Sequence, residues 1–256
     1  MSNNNEHKEN GTQNKRGIRE RFENDRGVKP IINNSKRLSK DEENGRSKGG
    51  SRNVAATEFL RGYEEANSEK QQDRLIEWAK QNDCLFTLKD IEEEFGSEIF
   101  EDLKREHGDS SPTGGAEALV YKYDNEHLLK VIRYHVWDTR PLGFLDNRIA
   151  IHNHLFPGTF YELIGICARG KAGKFSFVVK QPFIKGTRPT KNEIHQEMIK
   201  DKQFAREYME ETRYNSKDYI LEDLHTGNWI KGKDEKMYCI DPAPSLNISN
   251  RNYNNI

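Results

Sequence analysis

The chain has 256 residues, of which 32% are charged and only 33% hydrophobic, with a formal net charge of −1. So low an apolar share excludes a chain folded compactly from end to end and predicts a disordered portion. No apolar run is long enough to span a membrane and no signal-peptide core opens the chain. Cys84, Cys167 and Cys239 are odd in number and too scattered for a disulfide framework or a metal site. A reducing, cytoplasmic setting is the expectation, with each cysteine buried as a small hydrophobe.

Residues 1–53 are net basic and the remainder net acidic. Apolar residues in this stretch are isolated (Ile18, Phe22, Val28, Ile31-Ile32, Leu38), so burial has little with which to offset chain entropy, and the stretch is expected to be disordered. Its basic character suits a solubilising tail, or contact with a nucleic acid or acidic partner, although alternating signs weaken the latter.

Residues 54–110 are expected to form a helical extension. Ala55, Phe59 and Leu60 lead one segment, and Leu75, Ile76, Trp78 and Ala79 mark the face of a second that Asn82-Asp83 stops. A third helix is predicted from Leu88 to Lys104, with Thr87 as N-cap, Asp90 three residues on, and Ile91, Phe95, Ile99, Phe100 and Leu103 at helical spacing despite Gly96.

Residues 111–184 carry a different pattern. Ser111-Pro-Thr-Gly114-Gly115-Ala116-Glu117 is a glycine-bearing loop, suited to bring backbone N–H groups close to phosphate oxygens. It leads into a strand (Leu119 to Tyr123), a turn at Asp124-Asn-Glu126, and a strand His127 to Ile132 that carries Lys130 within an apolar run. A lysine there either faces water at an edge or needs an anionic partner. A helix over residues 141–156 follows, then strands at Tyr161–Cys167 and Phe175–Lys180 with a turn at Lys171-Ala-Gly173. Three carboxylates are rival partners for Lys130: Asp146 inside the helix, Glu117 in the loop and Glu162 beyond the helix. His152 and His154 lack a third ligand by spacing and are expected to be packing or surface residues. Gln181-Pro-Phe183-Ile184 then sits where a hinge would offer backbone groups to an adenine.

Residues 185–246 hold a helix from a Thr190 cap with Glu193 three residues on, its core face supplied by Ile194, Met198 and Ile199. Alternation over residues 204–214 predicts a strand paired with Tyr219–Leu221. Next come Asp223-Leu-His-Thr-Gly-Asn228, an apolar run at Trp229-Ile230, a turn signal at Gly232-Lys-Asp234, and a second apolar run ending in Asp241-Pro242. The two runs form a hairpin, which sets Asp223 and Asn228 at one end beside Asp241. Magnesium takes hard oxygen ligands and often only one or two from protein. Asn228 and Asp241 are candidates for that role, and Asp223 for the base that accepts a hydroxyl proton. This is the arrangement of a protein-kinase catalytic loop and its following metal aspartate. Asp and Asn are also common turn residues, and Asp241-Pro242 is also a plain strand terminator. The glycine loop and Lys130 upstream, in the order a kinase requires, weigh for the first view.

The blocks Gly114-Gly-Ala-Glu-Ala-Leu-Val-Tyr121, Phe144-Leu-Asp-Asn-Arg-Ile149, His152-Asn-His-Leu-Phe-Pro157, Tyr161-Glu-Leu-Ile-Gly165, Gln181-Pro-Phe-Ile184, Asp223-Leu-His-Thr-Gly-Asn228 and Ile240-Asp-Pro242 resemble the polyvalent protein kinases of bacterial mobile elements and phages, over roughly residues 72–243. The wording of the Asp223 loop is also similar to that of aminoglycoside phosphotransferases. The resemblance implies an α+β, protein-kinase-like two-lobed fold, with an antiparallel N-lobe sheet (111–184), a much reduced C-lobe (185–246) and a disordered tail (247–256). It implies ATP- and Mg²⁺-dependent phosphotransfer to a protein hydroxyl, Ser or Thr first. By position, Lys130 holds phosphates, Asp223 is the base, and Asn228 and Asp241 hold the metal. Gly114, Gly115, Ala116, Gln181 and Phe183 line the nucleotide. A small-molecule acceptor is one alternative, because of the wording of the Asp223 loop; a scaffold that has lost catalysis is the other, because the helix after Lys130 has no glutamate.

Overall fold

A computed structural model describes residues 17–19, 48–96 and 117–248. The expected glycine loop, the far end of the third predicted helix and most of both predicted tails lie outside them. The described residues form an α+β protein with three sheets and two hydrophobic cores.

Helix α1 (Lys48–Arg61) starts within the stretch expected to be disordered. The reason is a set of polar contacts that periodicity does not reveal. Arg52 is buried and donates to Ile164 O at 2.7 Å. Asn53 accepts from Leu163 N at 2.7 Å and donates to Tyr161 O at 3.0 Å. Ile18 is likewise buried, and its N–H donates to Glu94. The boundary at residue 53 therefore falls inside a helix. Helix α2 (Ser68–Gln81) is capped by Asn67 and buries Leu75, Trp78 and Ala79. Helix α3 (Leu88–Phe95) opens with the expected reciprocal Thr87–Asp90 capping box. It stops at Gly96, whose φ of 77° and ψ of −151° lie in a region essentially reserved for glycine, rather than running through it.

The five-stranded sheet has the order β1–β4–β5–β3–β2, where β1 is Leu85–Phe86, β2 Ala118–Lys122, β3 His127–Ile132, β4 Glu162–Cys167 and β5 Ser176–Pro182. All pairs are antiparallel except β1 with β4. Strand β1 was not anticipated. It docks because Gly165 has no side chain: a Cβ there would lie 2.1 Å from Cys84 O, which instead accepts from Ile166 N at 2.9 Å. A bulge between Leu163 and Gly165 interrupts β4, and Asn53 takes up the Leu163 N–H there. Helix α4 (141–155) contains a π-helical stretch, Phe144–Ile151, and packs Phe144 flat on Phe177 at 4.4 Å.

The second core joins Phe156, Ile194, Met198, Tyr214, Leu221 and Trp229. Strand β6 (Gly186–Thr187) is followed by α5 (191–201), which begins with the Thr190–Glu193 capping box. Ile199 on α5 is exposed rather than in the core. Only the ends of the expected strand over residues 204–214 are extended, as β7 (Ala205–Arg206) and β8 (Tyr214–Asn215). Between them Tyr208 and Met209 stand in solvent. Strand β8 pairs with β9 (Tyr219–Glu222), as expected. The predicted hairpin is present as β10 (Trp229–Gly232) and β11 (Met237–Cys239). The chain then turns at Asp241-Pro242 and returns along β9 as β12 (Ala243–Leu246), an unpredicted edge strand that tolerates Pro244.

All three cysteines are buried, as expected. Among the described residues no helix is long and apolar enough to cross a membrane.

Asn53→Ala strips the bulged strand of the acceptor for Leu163 N–H. The expected cost is about 1–3 kcal/mol, the penalty for a buried donor left unpaired. It should appear as a lower urea midpoint with an unchanged slope, and an unmoved midpoint would contradict this role for Asn53.

Candidate active site

Two independent strand registers assemble the site. In the hairpin, Trp229 faces Cys239, so the next pair outward is Asn228 and Ile240, and Ile240 N donates to Asn228 O at 2.8 Å. In the outer sheet, Ala243 faces Glu222, so one step further Pro242 comes opposite Asp223. Asp241 is thereby delivered next to both Asn228 and Asp223, as the hairpin argument requires.

Asp223 ends β9 with φ of 61°, a left-handed conformation that aspartate tolerates. Asn228 holds it there, its Nδ2 donating to Asp223 O at 2.9 Å and to Asp223 Oδ2 at 2.8 Å. His225 Nε2 stands 3.5 Å from the other carboxylate oxygen, and His225 Nδ1 accepts from Gly227 N to close the intervening turn. Burial raises the Asp223 carboxyl above its ordinary range, against the pull of His225 and Asn228, and the charge of Asp241 adds to the rise. Because Asn228 spends its NH₂ on Asp223, its Oδ1 is left to accept or to ligate.

Asp241 is gripped by one oxygen. Oδ1 accepts from Arg148 Nη2 at 2.8 Å and from Tyr161 OH at 3.0 Å. Burial alone would raise this carboxyl, but Lys130 and Arg148, with the Tyr161 hydroxyl, hold it below the usual carboxylate range. The carbonyl just before it, Ile240 O, accepts from Lys130 Nζ at 3.2 Å and Gln181 Nε2 at 3.0 Å; the Tyr161 hydroxyl also lies 3.0 Å from it, with its one proton shared toward Asp241 Oδ1. Burial pushes the Tyr161 phenol well above its usual pKa, so it remains a donor.

Lys130 is buried in β3, and none of its three rival acids pairs with it. Asp146 takes a two-pronged contact from Arg61 at 2.8 and 3.1 Å. Glu162 pairs with Lys180 at 2.6 Å. Glu117 pairs with Arg148 at 3.2 Å and accepts from the Trp137 indole. Burial lowers the Lys130 amine from its ordinary value, more than Asp241 restores it, and Arg148 adds to the lowering.

Gly114, Gly115 and Ala116 lie outside the described residues. Gln181 is buried, and its side chain ties Thr159 O (2.8 Å) to Ile240 O rather than reaching outward. The Phe183 N–H already donates to Glu126 O at 2.6 Å. His152 is a core residue: its ring stacks on Tyr161 at 4.5 Å, and Nε2 faces Thr159 O at 2.7 Å. Burial depresses its pKa to about 3, so it is neutral and carries its proton on Nε2. Sequence reasoning missed Arg148 and the Tyr161 hydroxyl. Helical spacing carried the signal for the first, since Arg148 shares a face with Leu145, Ile149 and His152 and is the one cation on that buried stripe.

The family model described as Serine/Threonine/Tyrosine Kinase found in polyvalent proteins matches residues 68–247. No curated protein and no solved structure matches. The matched span runs from the first residue of α2 to the residue after β12 and takes in every residue of the site just described. The chain therefore belongs to the kinase family found in polyvalent proteins.

Proposed function

We propose that the protein is an ATP- and Mg²⁺-dependent phosphotransferase of kinase-like, two-lobed build, acting in the cytoplasm on a Ser or Thr hydroxyl of a protein. The observation that carries this most directly is the Asp223–Asn228 clamp set beside Asp241, with Lys130 buried next to them and no carboxylate at ion-pair distance among the described residues. The two separate hydrophobic cores suit two lobes, the first around the five-stranded sheet and the second around β8–β11.

The donor set fits magnesium. The described residues hold no cluster of three or more acidic, histidine or cysteine ligands of the kind a fully protein-coordinated metal uses. Asn228 Oδ1 and Asp241 are the one or two oxygens that magnesium asks of a protein when phosphates supply others. Bound there, the metal would neutralise charge on the transferring phosphate. The remaining work falls to the chain itself. Asp223, fixed by Asn228 and raised by burial, takes the proton of the attacking hydroxyl. Lys130 is a cation in an apolar strand whose charged form burial disfavours, and an anionic phosphate supplies the missing counter-charge. Positioning and charge stabilisation dominate such transfers, so this small set suffices.

The test uses ATP labelled separately at the α and γ positions, with the full chain and a mixed protein acceptor. The γ label should move to protein, and Asp223→Asn should slow this by about 10²–10⁴-fold, the usual contribution of a general base. Movement of the α label would point to nucleotide transfer and contradict the proposal, as would no transfer of either. The rate should also fall as acid protonates Asp223. A profile that stays flat through the ordinary aspartate range would count against Asp223 as base.

A further inference from the structure

Arg148 is a buried cation to which phosphotransfer, as set out above, assigns no task. Its side chain is 3% exposed, yet one guanidinium nitrogen serves two acids, Asp241 Oδ1 at 2.8 Å and Glu117 Oε2 at 3.2 Å. Tyr161 OH reaches the same Asp241 oxygen at 3.0 Å. Among the described residues Asp241 Oδ2 has no hydrogen-bond partner, and the Asp241 side chain is 26% exposed. One oxygen is thus engaged from two directions and the other faces outward.

We propose that Arg148 and Tyr161 are positioning residues for Asp241: by fixing Oδ1 they present Oδ2, beside Asn228 Oδ1, to a divalent cation. The inference rests on the phosphotransfer proposal and extends it to how the metal site is preorganised.

Both residues are braced in a way that suits this task. The Tyr161 backbone is held on its carbonyl by Asn53 (3.0 Å) and on both its carbonyl and N–H by Asn153 (2.8 and 2.6 Å). Its ring is stacked on His152, and its hydroxyl also contacts Ile240 O. Arg148 is steadied by Glu117, which the Trp137 indole holds in turn. The guanidinium therefore has a second anion to remain with, and need not follow Asp241 if that carboxylate shifts on metal arrival. The pattern inverts the usual pairing of a kinase N-terminal lobe, in which the helix supplies the acid and a strand the cation. Here α4 supplies the cation, and Glu117, the residue before β2, the acid. Outer hydrogen bonds of this kind orient ligating carboxylates, and losing one typically weakens metal affinity 10–100-fold.

An opposite role fits the same contacts: Arg148 as a stand-in charge that metal must displace. The two differ in sign. The experiment follows the nucleotide-dependent rise in melting temperature of the full chain at fixed ATP, so that the metal's affinity for ATP is common to all samples, while Mg²⁺ is titrated. For Arg148→Gln and Tyr161→Phe, the Mg²⁺ midpoint should move up by about 10–100-fold. A merely structural role would lower the starting melting temperature without moving that midpoint. Arg148→Gln leaves two acids facing each other and risks misfolding. Tyr161→Phe keeps the ring and its stack on His152, and decides the matter alone if needed. An unchanged midpoint would overturn the inference, and a lower one would assign Arg148 the displaced role instead. A wild-type protein with no metal-dependent rise would remove the phosphotransfer proposal and this inference together.

Discussion

The structure turns on a single peptide corner, Ile240-Asp241. The carbonyl of one and the carboxylate of the other collect donors from four separate elements: Lys130 from β3, Arg148 from α4, Tyr161 ahead of β4 and Gln181 from β5. Every one of those side chains is buried. Buried donors are costly unless paired, so the corner is where the sheet, the helix and the hairpin must all meet. Removing it would leave Arg148 only Glu117, Gln181 only Thr159 O and Lys130 only the Tyr161 hydroxyl. The second core and the β9–β12 pairing hold the corner from the other side.

This arrangement also explains the charge pattern. A lysine in the middle of a sheet ordinarily has an acid at hand, yet here the nearby acids are taken by arginines and by Lys180. Lys130 is left on a carbonyl and a phenol, which stabilise an ammonium only partly. The molecule thus holds a buried cation short of counter-charge next to the Asp241 carboxylate and the Asn228-clamped, raised carboxyl of Asp223. A triphosphate would meet those needs at once, and this is the physical basis of the proposed nucleotide site.

Much of this was legible in the residues. The Asp223 loop and the hairpin follow from alternating apolar runs around a turn signal, and hairpin geometry alone places Asp241 beside Asn228. The Thr87–Asp90 and Thr190–Glu193 capping boxes are local devices and appear as read. What escaped is what depends on distant partners. A two-residue strand such as β1 has no period, and exists because Gly165 admits the Cys84 carbonyl. Ala243-Pro-Ser-Leu246 reads as a strand end, since proline suits only an edge. Arg52 and Asn53 are polar residues that periodicity assigns to water, although both are engaged by the strand β4 region. Asp146 was a reasonable partner for Lys130 by position, but Arg61, 85 residues earlier in the chain, captures it.

Lys130 is proposed as a phosphate-binding cation in a metal-dependent nucleotide site. The most direct measurement is calorimetric titration of ATP into the full chain, with and without Mg²⁺, for wild type and Lys130→Met. Mg²⁺ should strengthen ATP binding and the substitution should weaken it by about 10–100-fold, the worth of a hydrogen bond to a charged group. Equal affinity in the two proteins, or no ATP binding by the wild type, would contradict it.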